Sequence, residues 1–358
     1  MAVTTNRNHA IGILDKIISE GRDRASQNLI AIEREWDARK DLMVRPEAMT
    51  FDVTDGNVHP VIEKERFNLT PHSLDQLYSR ARVPRKFGDE LFKVGRGDMV
   101  KYNLEELMPQ VSKEGMLVRH VGSTIKGVLS TAYRRMDASP IFESFIKSGM
   151  GQGFVPFRGN NTDTRYRVSM IHPEVLEPTP GEFVVYGSAL ITGDYGGVAL
   201  AMEVFALRII CNNLMQGMNL LRQIHIGKRF DFSGEKGPVI ELSSRTHQLD
   251  THTVASAIGD AVKGVKEWTG TVNKAIEKAS KEEVNIDTAV ALLRKKGLRK
   301  EVADSVKALY NSEVPVEALP QEKSKWRLSN CISLIANGEK NGDREIDLQK
   351  LAYDVVAA

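Results

Sequence analysis

The middle of the chain carries β-prone runs separated by turn residues, and this pattern limits the fold most strongly. Residues 116–129 are typical of a hairpin, with Gly122 and Ser123 as its two-residue turn. Two further β-prone runs, 166–171 and 183–191, flank a stretch with three prolines that cannot continue a strand. The sequence therefore predicts a central antiparallel sheet that contains at least these four strands.

An apolar segment that follows the glycine-rich turn at 193–197 predicts a long helix over 198–226. At helical spacing, one stripe of this helix consists of polar residues: Arg208, Asn212, Gln216, Asn219 and Gln223. Amides on a helix surface are often simply solvated. Because they both donate and accept hydrogen bonds, such a stripe also suits a partner protein or a nucleic acid. We expect this helix to pack across the sheet.

Helical patterns occupy both ends of the chain. Residues 8–40 have apolar side chains at helical spacing, Thr70 and Pro71 mark a helix start, and 245–310 and 326–356 return to helix. The sequence thus predicts an α+β fold in which a helical arm and a helical C-terminal region flank the sheet. The predicted divisions are a helical N-terminal arm at 1–50, an α+β core domain at 51–240 and a helical C-terminal region at 241–358.

Composition excludes several classes of protein. With 358 residues, 41% hydrophobic and 27% charged, the chain is neither collagen-like, nor disordered, nor a disulfide scaffold. The two cysteines, Cys211 and Cys331, form no CxxC pair, which argues against a zinc finger and for a reducing, cytoplasmic location. No window approaches the ~18 apolar residues of a membrane span, so we expect no membrane contact.

Catalytic motifs are absent from the sequence. There is no GxxxxGK[ST] loop, no GxGxxG, no GxSxG and no HExxH. We therefore assign no catalytic residue, metal or cofactor and favour a non-catalytic protein. One enzyme alternative stays open, a metal-dependent nuclease built from central carboxylates such as Glu174, Glu177 and Asp194, because two-metal chemistry needs clustered oxygen ligands.

Local charge is more informative than net charge. Residues 79–135 hold twelve Lys or Arg against six Asp or Glu, an excess of six in a chain of net charge +2. On a sheet, cations that follow phosphates and rings that stack on bases are typical of a surface for single-stranded nucleic acid. A solvated basic face above core aromatics is the plain alternative. The expected contacts are Arg119, Lys126, Arg134 and Arg135 to phosphates, Tyr133 to a base, and Arg165 and Arg167 as an extension of the groove.

A second basic feature lies near the C-terminal end. The run ALLRKKGLRKEVADSVKALY at 291–310 places Gly297 between two short helical patterns. Such a pattern is compatible with a helix-turn-helix whose second helix reads DNA. Basic runs on helices also often simply face water, and both readings remain open.

Four segments together resemble the phage/plasmid-like protein family. They are FNLTPHSLDQLYSRARVP, LVRHVGSTIKGVLSTAYRRMD, GSALITGDYGGVALAMEVFALRIICNNLM and WRLSNCISLIANGEKNG, and they cover most of residues 65–356. The most specific positions are Ser130, Tyr133, Arg134, the turn at 193–197, Arg208, Cys211 and Asn213. That family is defined by one large domain of unknown function in bacteriophages, plasmids and bacterial chromosomes. The resemblance implies a mobile-element protein and brings no reaction with it.

A hairpin, more antiparallel strands and a long helix across the sheet also form the plan of phage single-strand-annealing recombinases, at the level of fold alone. The leading hypothesis is therefore a homo-oligomeric phage protein that binds single-stranded DNA in replication or recombination, in the host cytoplasm. The alternatives are a virion or host-directed interaction factor and the nuclease. The leading hypothesis requires that the cations around the hairpin form an open trough.

Overall fold

The computed structural model describes residues 7–111, 115–211, 213–223, 243–314 and 319–357. Within these ranges, none of the helices is both long and apolar enough to cross a membrane. The helices are α1 (Arg7–Ala38), α2 (Pro71–Arg80), α3 (Arg85–Lys93), α4 (Gly97–Val111), α5 (Ala138–Gly151), α6 (Ser244–Lys281), α7 (Ile286–Lys295), α8 (Lys300–Asn311), α9 (Lys325–Asn337) and α10 (Gly342–Ala357).

Groups of strands and groups of helices follow one another along the chain, and the strand pairs are antiparallel except for β5 with β7, so the fold is α+β, as predicted. They are β1 (Arg39–Val44), β2 (Met49–Thr54), β3 (Asn57–Ile62), β4 (Glu65–Arg66), β5 (Asn68–Leu69), β6 (Met116–Val121), β7 (Thr124–Ser130), β8 (Val155–Asn161), β9 (Tyr166–Ile171), β10 (Leu176–Thr179), β11 (Glu182–Thr192), β12 (Leu200–Arg208) and β13 (Asn213–Gln223).

The largest sheet is antiparallel and is buried on both faces. Its strand order is β13-β12-β11-β9-β8, with β10 paired to β11. Along β11, Val185 and Ala189 pack in a cluster with Leu14 of α1. The alternate residues Tyr186 and Leu190 pack on the other face in a cluster shared by α5 and α6. Two-sided burial follows from the period of two along a strand, because both sets of side chains are apolar.

A long helix does pack across this sheet, but residues other than the expected ones form it. Helix α6 begins after Ser243, whose side chain accepts a hydrogen bond from the Thr246 amide. Its apolar residues Ile258, Val262 and Val265 join the cluster on one face of the sheet. The expectation of a helix across the sheet is confirmed, whereas its assignment to 198–226 is wrong.

Residues 200–208 and 213–223 form the strands β12 and β13, and the apolar side chains of β12 serve two faces of the sheet at once. β12 is buried along almost its whole length, and β13 pairs with it. A strand covered on both sides reads as a continuous apolar run, from which helical spacing can be picked out by coincidence. The predicted stripe is therefore not a helix face. Backbone pairing sets Gln216 opposite Phe205, Asn219 opposite Glu203 and Gln223 opposite Leu200, and Asn212 lies outside the described residues.

The predicted hairpin is confirmed, but it belongs to a second sheet. β6 and β7 pair antiparallel around Gly122, whose φ of 56° lies in the left-handed region that glycine adopts readily. They join β1 and the short parallel strand β5 in the order β1-β6-β7-β5. The expected single central sheet is thus two sheets, since 166–171 and 183–191 lie in the larger one. β2, β3 and β4 form a third, smaller sheet.

The three segments expected from the sequence share hydrophobic clusters. Ala10 of the N-terminal helix packs in one cluster with Phe205 of the large sheet. Trp326 and Ile332 of the C-terminal helices pack in another cluster with Val184 of the same sheet. The boundaries near 50 and 240 stay a prediction, while the packing joins the large sheet to both ends of the chain.

Gly187 on β11 offers a test of the close packing at the centre of the large sheet. A Cβ there would clash with the carbonyl oxygen of Met170 and the ring of Phe205. We expect Gly187→Ala to lower the free energy of unfolding by about 1–3 kcal/mol, the usual cost of overpacking. Urea denaturation followed by circular dichroism measures this change.

The matched control is Gly270→Ala on α6, where a Cβ meets nothing within 4 Å. Alanine favours a helix interior over glycine by about 0.5–1 kcal/mol, so this variant should be as stable as the wild type or more so. Equal stability of the two variants would contradict the packing described for β11.

Candidate nucleic-acid interface

Arg119, the first expected phosphate contact, is buried among carboxylates. Its side chain is 1% exposed, and its Nε lies 3.1 Å from Oδ1 of Asp41. Its Nη2 donates to Oδ1 of Asp137 at 3.2 Å, and its Nη1 donates to the carbonyl oxygen of Asp194 at 3.0 Å. Since every guanidinium nitrogen faces an acidic residue inside the protein, Arg119 does not present a charge to a ligand outside.

Two further arginines complete this buried network. Arg39 donates to Oδ2 of Asp194 at 2.7 Å and to Oδ1 of Asp137 at 2.8 Å. Arg135 lies 3.5 Å from Oδ2 of Asp41. With Arg119, three guanidinium groups therefore meet three carboxylates, and we call this set the Arg–Asp network. It connects β1, β6, the segment before α5 and the glycine-rich turn.

Burial and charge shift the pKa values of the Asp194 and Asp137 carboxyls in opposite directions. Burial, with the nearby charge of Asp137, raises the pKa of Asp194 to about 6 against the pull of Arg39 and Arg119. At Asp137 burial also favours the neutral form, but Arg119 and Arg39 together lower the pKa of its carboxyl. The arginines thus hold Asp137 charged in an interior position.

Lys126 is also paired, with an acid of the N-terminal helix. Its Nζ lies 2.6 Å from Oε2 of Glu35. The other oxygen of Glu35 accepts hydrogen bonds from Tyr166 at 2.5 Å and from Tyr195 at 2.7 Å. Although burial acts against the charged form, these donors lower the pKa of Glu35. The expected phosphate contact is therefore part of the packing between α1 and the two sheets.

Tyr133 and Arg134 are likewise directed inward. Tyr133 is 9% exposed, and its hydroxyl donates to the carbonyl oxygen of Gly193 at 3.2 Å. Arg134 makes a two-pronged contact with Asp250 of α6, with Nε at 2.6 Å and Nη2 at 2.7 Å from the two oxygens. A buried ring offers no stacking platform, and this arginine ties the hairpin region to the long helix.

Of the remaining expected contacts near the large sheet, two are buried and one is half-buried. Arg208 is fully buried and forms a bidentate pair with Glu182 at 2.7 and 2.9 Å. Arg167 is 3% exposed and donates to Oε1 of Gln349 at 3.2 Å. Arg165 is half-buried. The described residues therefore do not form the open trough that the sequence led us to expect.

The reason for this error is that most of the neutralising acids come from distant parts of the sequence. Asp41 pairs with Arg119 across 78 residues, and Asp250 with Arg134 across 116. Glu35 lies 91 residues from Lys126. A charge count over 79–135 includes the cations but none of these three acids.

The structure does not assemble the carboxylates that a nuclease would use. Asp194 belongs to the Arg–Asp network, while Glu174 and Glu177 are exposed. In the part of the chain that the structure describes, no group of three or more His, Cys, Asp or Glu side chains is arranged to hold a metal ion.

A cavity of about 530 Å³ lies between α2, β7 and the glycine-rich turn. Gln76 lines it but is fixed by two backbone groups: it donates to the Tyr195 carbonyl oxygen at 2.8 Å and accepts from the Val128 amide at 2.8 Å. His72 contacts the same carbonyl oxygen at 2.9 Å. The hydrogen bonds of Gln76 and His72 hold the glycine-rich turn against α2 and β7, so these side chains have a structural role.

Exposed positive charge is concentrated instead at the turn between α7 and α8. Residues 294–300 contain five cations, all exposed: Arg294, Lys295, Lys296, Arg299 and Lys300. Lys296 lies 2.8 Å from Asp354, whereas the other four have no ion pair with any described residue. We call residues 294–300 the basic turn. Its run of cations is visible in the sequence, but its exposure is not.

The basic turn is held in shape by the core beneath it. Gly297 has φ of 104°, which lets the chain reverse between the helices. Leu298 is 4% exposed and packs in one cluster with Leu293 and Val306. Arg299 occupies the N-cap position of α8 without a capping side-chain hydrogen bond. The first backbone amides of a helix without a capping side chain can donate hydrogen bonds to an anion.

The Arg–Asp network provides a stability test. Replacing Arg119 by Met should lower the free energy of unfolding by about 3–5 kcal/mol, since removal of one partner leaves buried carboxylates uncompensated. Arg96→Met is the matched control, because Arg96 pairs with Asp98 at the surface, at 53% and 66% side-chain exposure. That exposed pair contributes about 0–1 kcal/mol. Chemical denaturation of both variants measures the difference, and similar losses would contradict the burial described for Arg119.

Comparisons with known proteins identify no relative of this chain. No protein-family model, no curated protein and no solved structure matches the chain. The resemblance to the phage/plasmid-like family therefore rests on the segments quoted above alone.

Proposed function

We propose that the chain binds nucleic acid through the phosphate backbone and that the basic turn is the contact surface. One observation carries this proposal: five exposed cations fall within seven consecutive residues, and only Lys296 among them is paired to a described acid. Such a cluster releases counterions from a nucleic acid when it binds, which is the main source of sequence-independent affinity.

The surroundings of the basic turn favour duplex DNA over single strands. Two helices joined by a short turn are typical of modules that lie against a duplex. The aromatic residue of this helix pair, Tyr310, is 2% exposed and offers no platform for an unstacked base. Glu301 and Asp304 are exposed on α8, so we assign the contact to phosphates beside the turn and not to base reading by α8.

The wider biological setting stays part of the proposal. A homo-oligomer, a role in phage or plasmid replication or recombination and a cytoplasmic location are expectations from the sequence. The resemblance to the phage/plasmid-like family supports the mobile-element role, and the cysteine usage supports the cytoplasmic location. Single-stranded DNA is the substrate expected from the hairpin, and the binding experiment compares it directly with the duplex that the basic turn favours.

A protein-interaction role is the second candidate, and one surface favours it. Three large apolar side chains around α3 and α4 are exposed: Phe87 at 46%, Val94 at 68% and Tyr102 at 64%. Helices α3 and α4 contact each other, and large apolar side chains left exposed on adjoining elements are a common feature of protein interfaces. This role is compatible with nucleic-acid binding at the other end of the chain.

The basic turn is tested by replacing its four unpaired cations: Arg294, Lys295, Arg299 and Lys300, each by Gln. Duplex affinity should fall by at least about tenfold. The slope of log K against log salt should decrease by about 3 to 4, since each lost duplex phosphate contact removes about 0.9. Fluorescence anisotropy with labelled 30-base single strands and 30-base-pair duplexes, over a salt series, measures both quantities.

The control variant replaces four exposed lysines of α6 by Gln: Lys263, Lys266, Lys274 and Lys278. It changes the net charge by the same amount as the basic-turn variant. If the contact is local and not a general charge effect, the duplex affinity of this control should stay within about twofold of the wild type. An equal loss in both variants, or no binding of either nucleic acid by the wild type at low salt, refutes the proposal. Stronger binding of single strands would favour the substrate expected from the hairpin.

A further inference from the structure

A polar cavity of about 240 Å³ lies between α1, the β8–β9 edge of the large sheet and the C-terminal helices. Three arginines line it, one from each of three elements: Arg24 of α1, Arg158 of β8 and Arg167 of β9. Among the side chains that the structure describes, one carboxylate, Glu345 of α10, lines it with them. The cavity wall therefore carries an excess of positive charge.

The available carboxylate is already shared between two donors. Oε1 of Glu345 accepts from Nη1 of Arg158 at 3.1 Å and from the side-chain amide of Gln349 at 2.9 Å. The nearby Glu203 is paired with Lys350, at 2.9 Å. Neither acid makes a hydrogen bond to Arg167.

Arg167 is short of acceptors. It is 3% exposed, and it donates from Nη1 to the Gln349 side chain at 3.2 Å. Its Nε and Nη2 are shielded from solvent and have no hydrogen-bond partner among the described residues. Burial, together with the charge of Arg158, lowers the pKa of Arg167 to about 10 against the effects of Glu345 and Glu203. A buried donor left without an acceptor costs about 1–3 kcal/mol and calls for an explanation.

A second buried group in the same wall has the same deficit. Ser169 follows Arg167 by two residues on β9, so both side chains are on the same face of the sheet. Its hydroxyl is fully buried and has no hydrogen-bond partner among the described residues. An anion in the cavity would supply both the acceptors and the charge that this wall lacks.

We propose that this cavity binds a phosphate group, as inorganic phosphate or as the phosphate of a small metabolite. Arg158 and Arg167 are the main ligands, and Arg24 completes the site at the entrance. Guanidinium groups suit phosphate because their planar N–H pairs match two oxygens at once. The cavity is below the roughly 300–1,000 Å³ of sites for drug-sized ligands, which restricts it to a small ligand. A nucleic-acid strand is too large for it, so this site is separate from the basic turn.

Isothermal titration calorimetry at constant ionic strength tests the site, with sodium phosphate, ribose 5-phosphate and sodium acetate as titrants. We expect saturable, one-site binding of phosphate or of the phosphomonoester, and none of acetate. The tighter of the two identifies the source of the phosphate group. If neither phosphate nor ribose 5-phosphate gives a saturable heat at ligand concentrations up to about 10 mM, the proposal is overturned, because binding weaker than this corresponds to less than about 3 kcal/mol.

Arg158→Gln should weaken binding by at least about tenfold, because it removes a charge-assisted hydrogen bond. The matched control is Arg22→Gln, an exposed arginine of the same helix as Arg24 that does not line the cavity, and it should bind as the wild type does. Equal affinity of the two variants contradicts the assignment of Arg158.

Arg167→Met separates a binding role from a structural one. If Arg167 serves a ligand, this variant should lose phosphate binding while its thermal midpoint without phosphate stays equal to that of the wild type or rises, because donors without acceptors are removed. A lowered midpoint with unchanged phosphate binding contradicts the role given to Arg167. The Gln variant of the basic turn should retain phosphate binding, so failure of either site is distinguishable from failure of the other.

Discussion

The Arg–Asp network is the interaction on which the rest of the structure depends. It joins β1, which directly follows α1, to the β6–β7 hairpin of the same four-stranded sheet and to the glycine-rich turn between β11 and β12 of the large sheet. Removing charged groups from water is expensive, so each guanidinium and carboxylate in it must keep its partners. The relative position of the two sheets is therefore set by charge pairing as well as by apolar packing. The Glu35 contacts reinforce the same junction, because Lys126, Tyr166 and Tyr195 come from both sheets and the turn.

Local signals predicted local structure well. Thr70 accepts a hydrogen bond from the Ser73 amide at the start of α2, and Gly122 turns the hairpin, as the residue types indicated. The segment at 198–226 was assigned wrongly because an apolar run carries no information on whether one or two faces will be covered. Whether one or two faces are covered depends on α1 and α6, which precede and follow the strands of the large sheet in the sequence and pack on its two faces.

The basic residues show the same limit for the candidate site. Arg119 and Arg294 are the same residue type and each belongs to a basic region of the sequence, yet one is fully buried and the other is exposed. The distinction depends on acids such as Asp41, which lies 78 residues from its partner. Sequence reasoning identified the run at 294–300 but had no means of showing that its charges are unpaired. The deficit of acceptors at Arg167 has no sequence signal, because it follows from what surrounds a strand in the folded chain.

Three groups of cations among the described residues carry different physical implications. Those of the Arg–Asp network are buried and balanced, so their charge contributes to stability and is not available to a ligand. Those of the basic turn are exposed and largely unbalanced, which suits a long polyanion whose own charge density is high. Arg158 and Arg167 line a cavity and are incompletely balanced by acids, and such an excess of positive charge is best met by a small anion that can enter. Burial and pairing together, and not the number of positive charges, therefore distinguish structural arginines from those that we propose to bind a ligand.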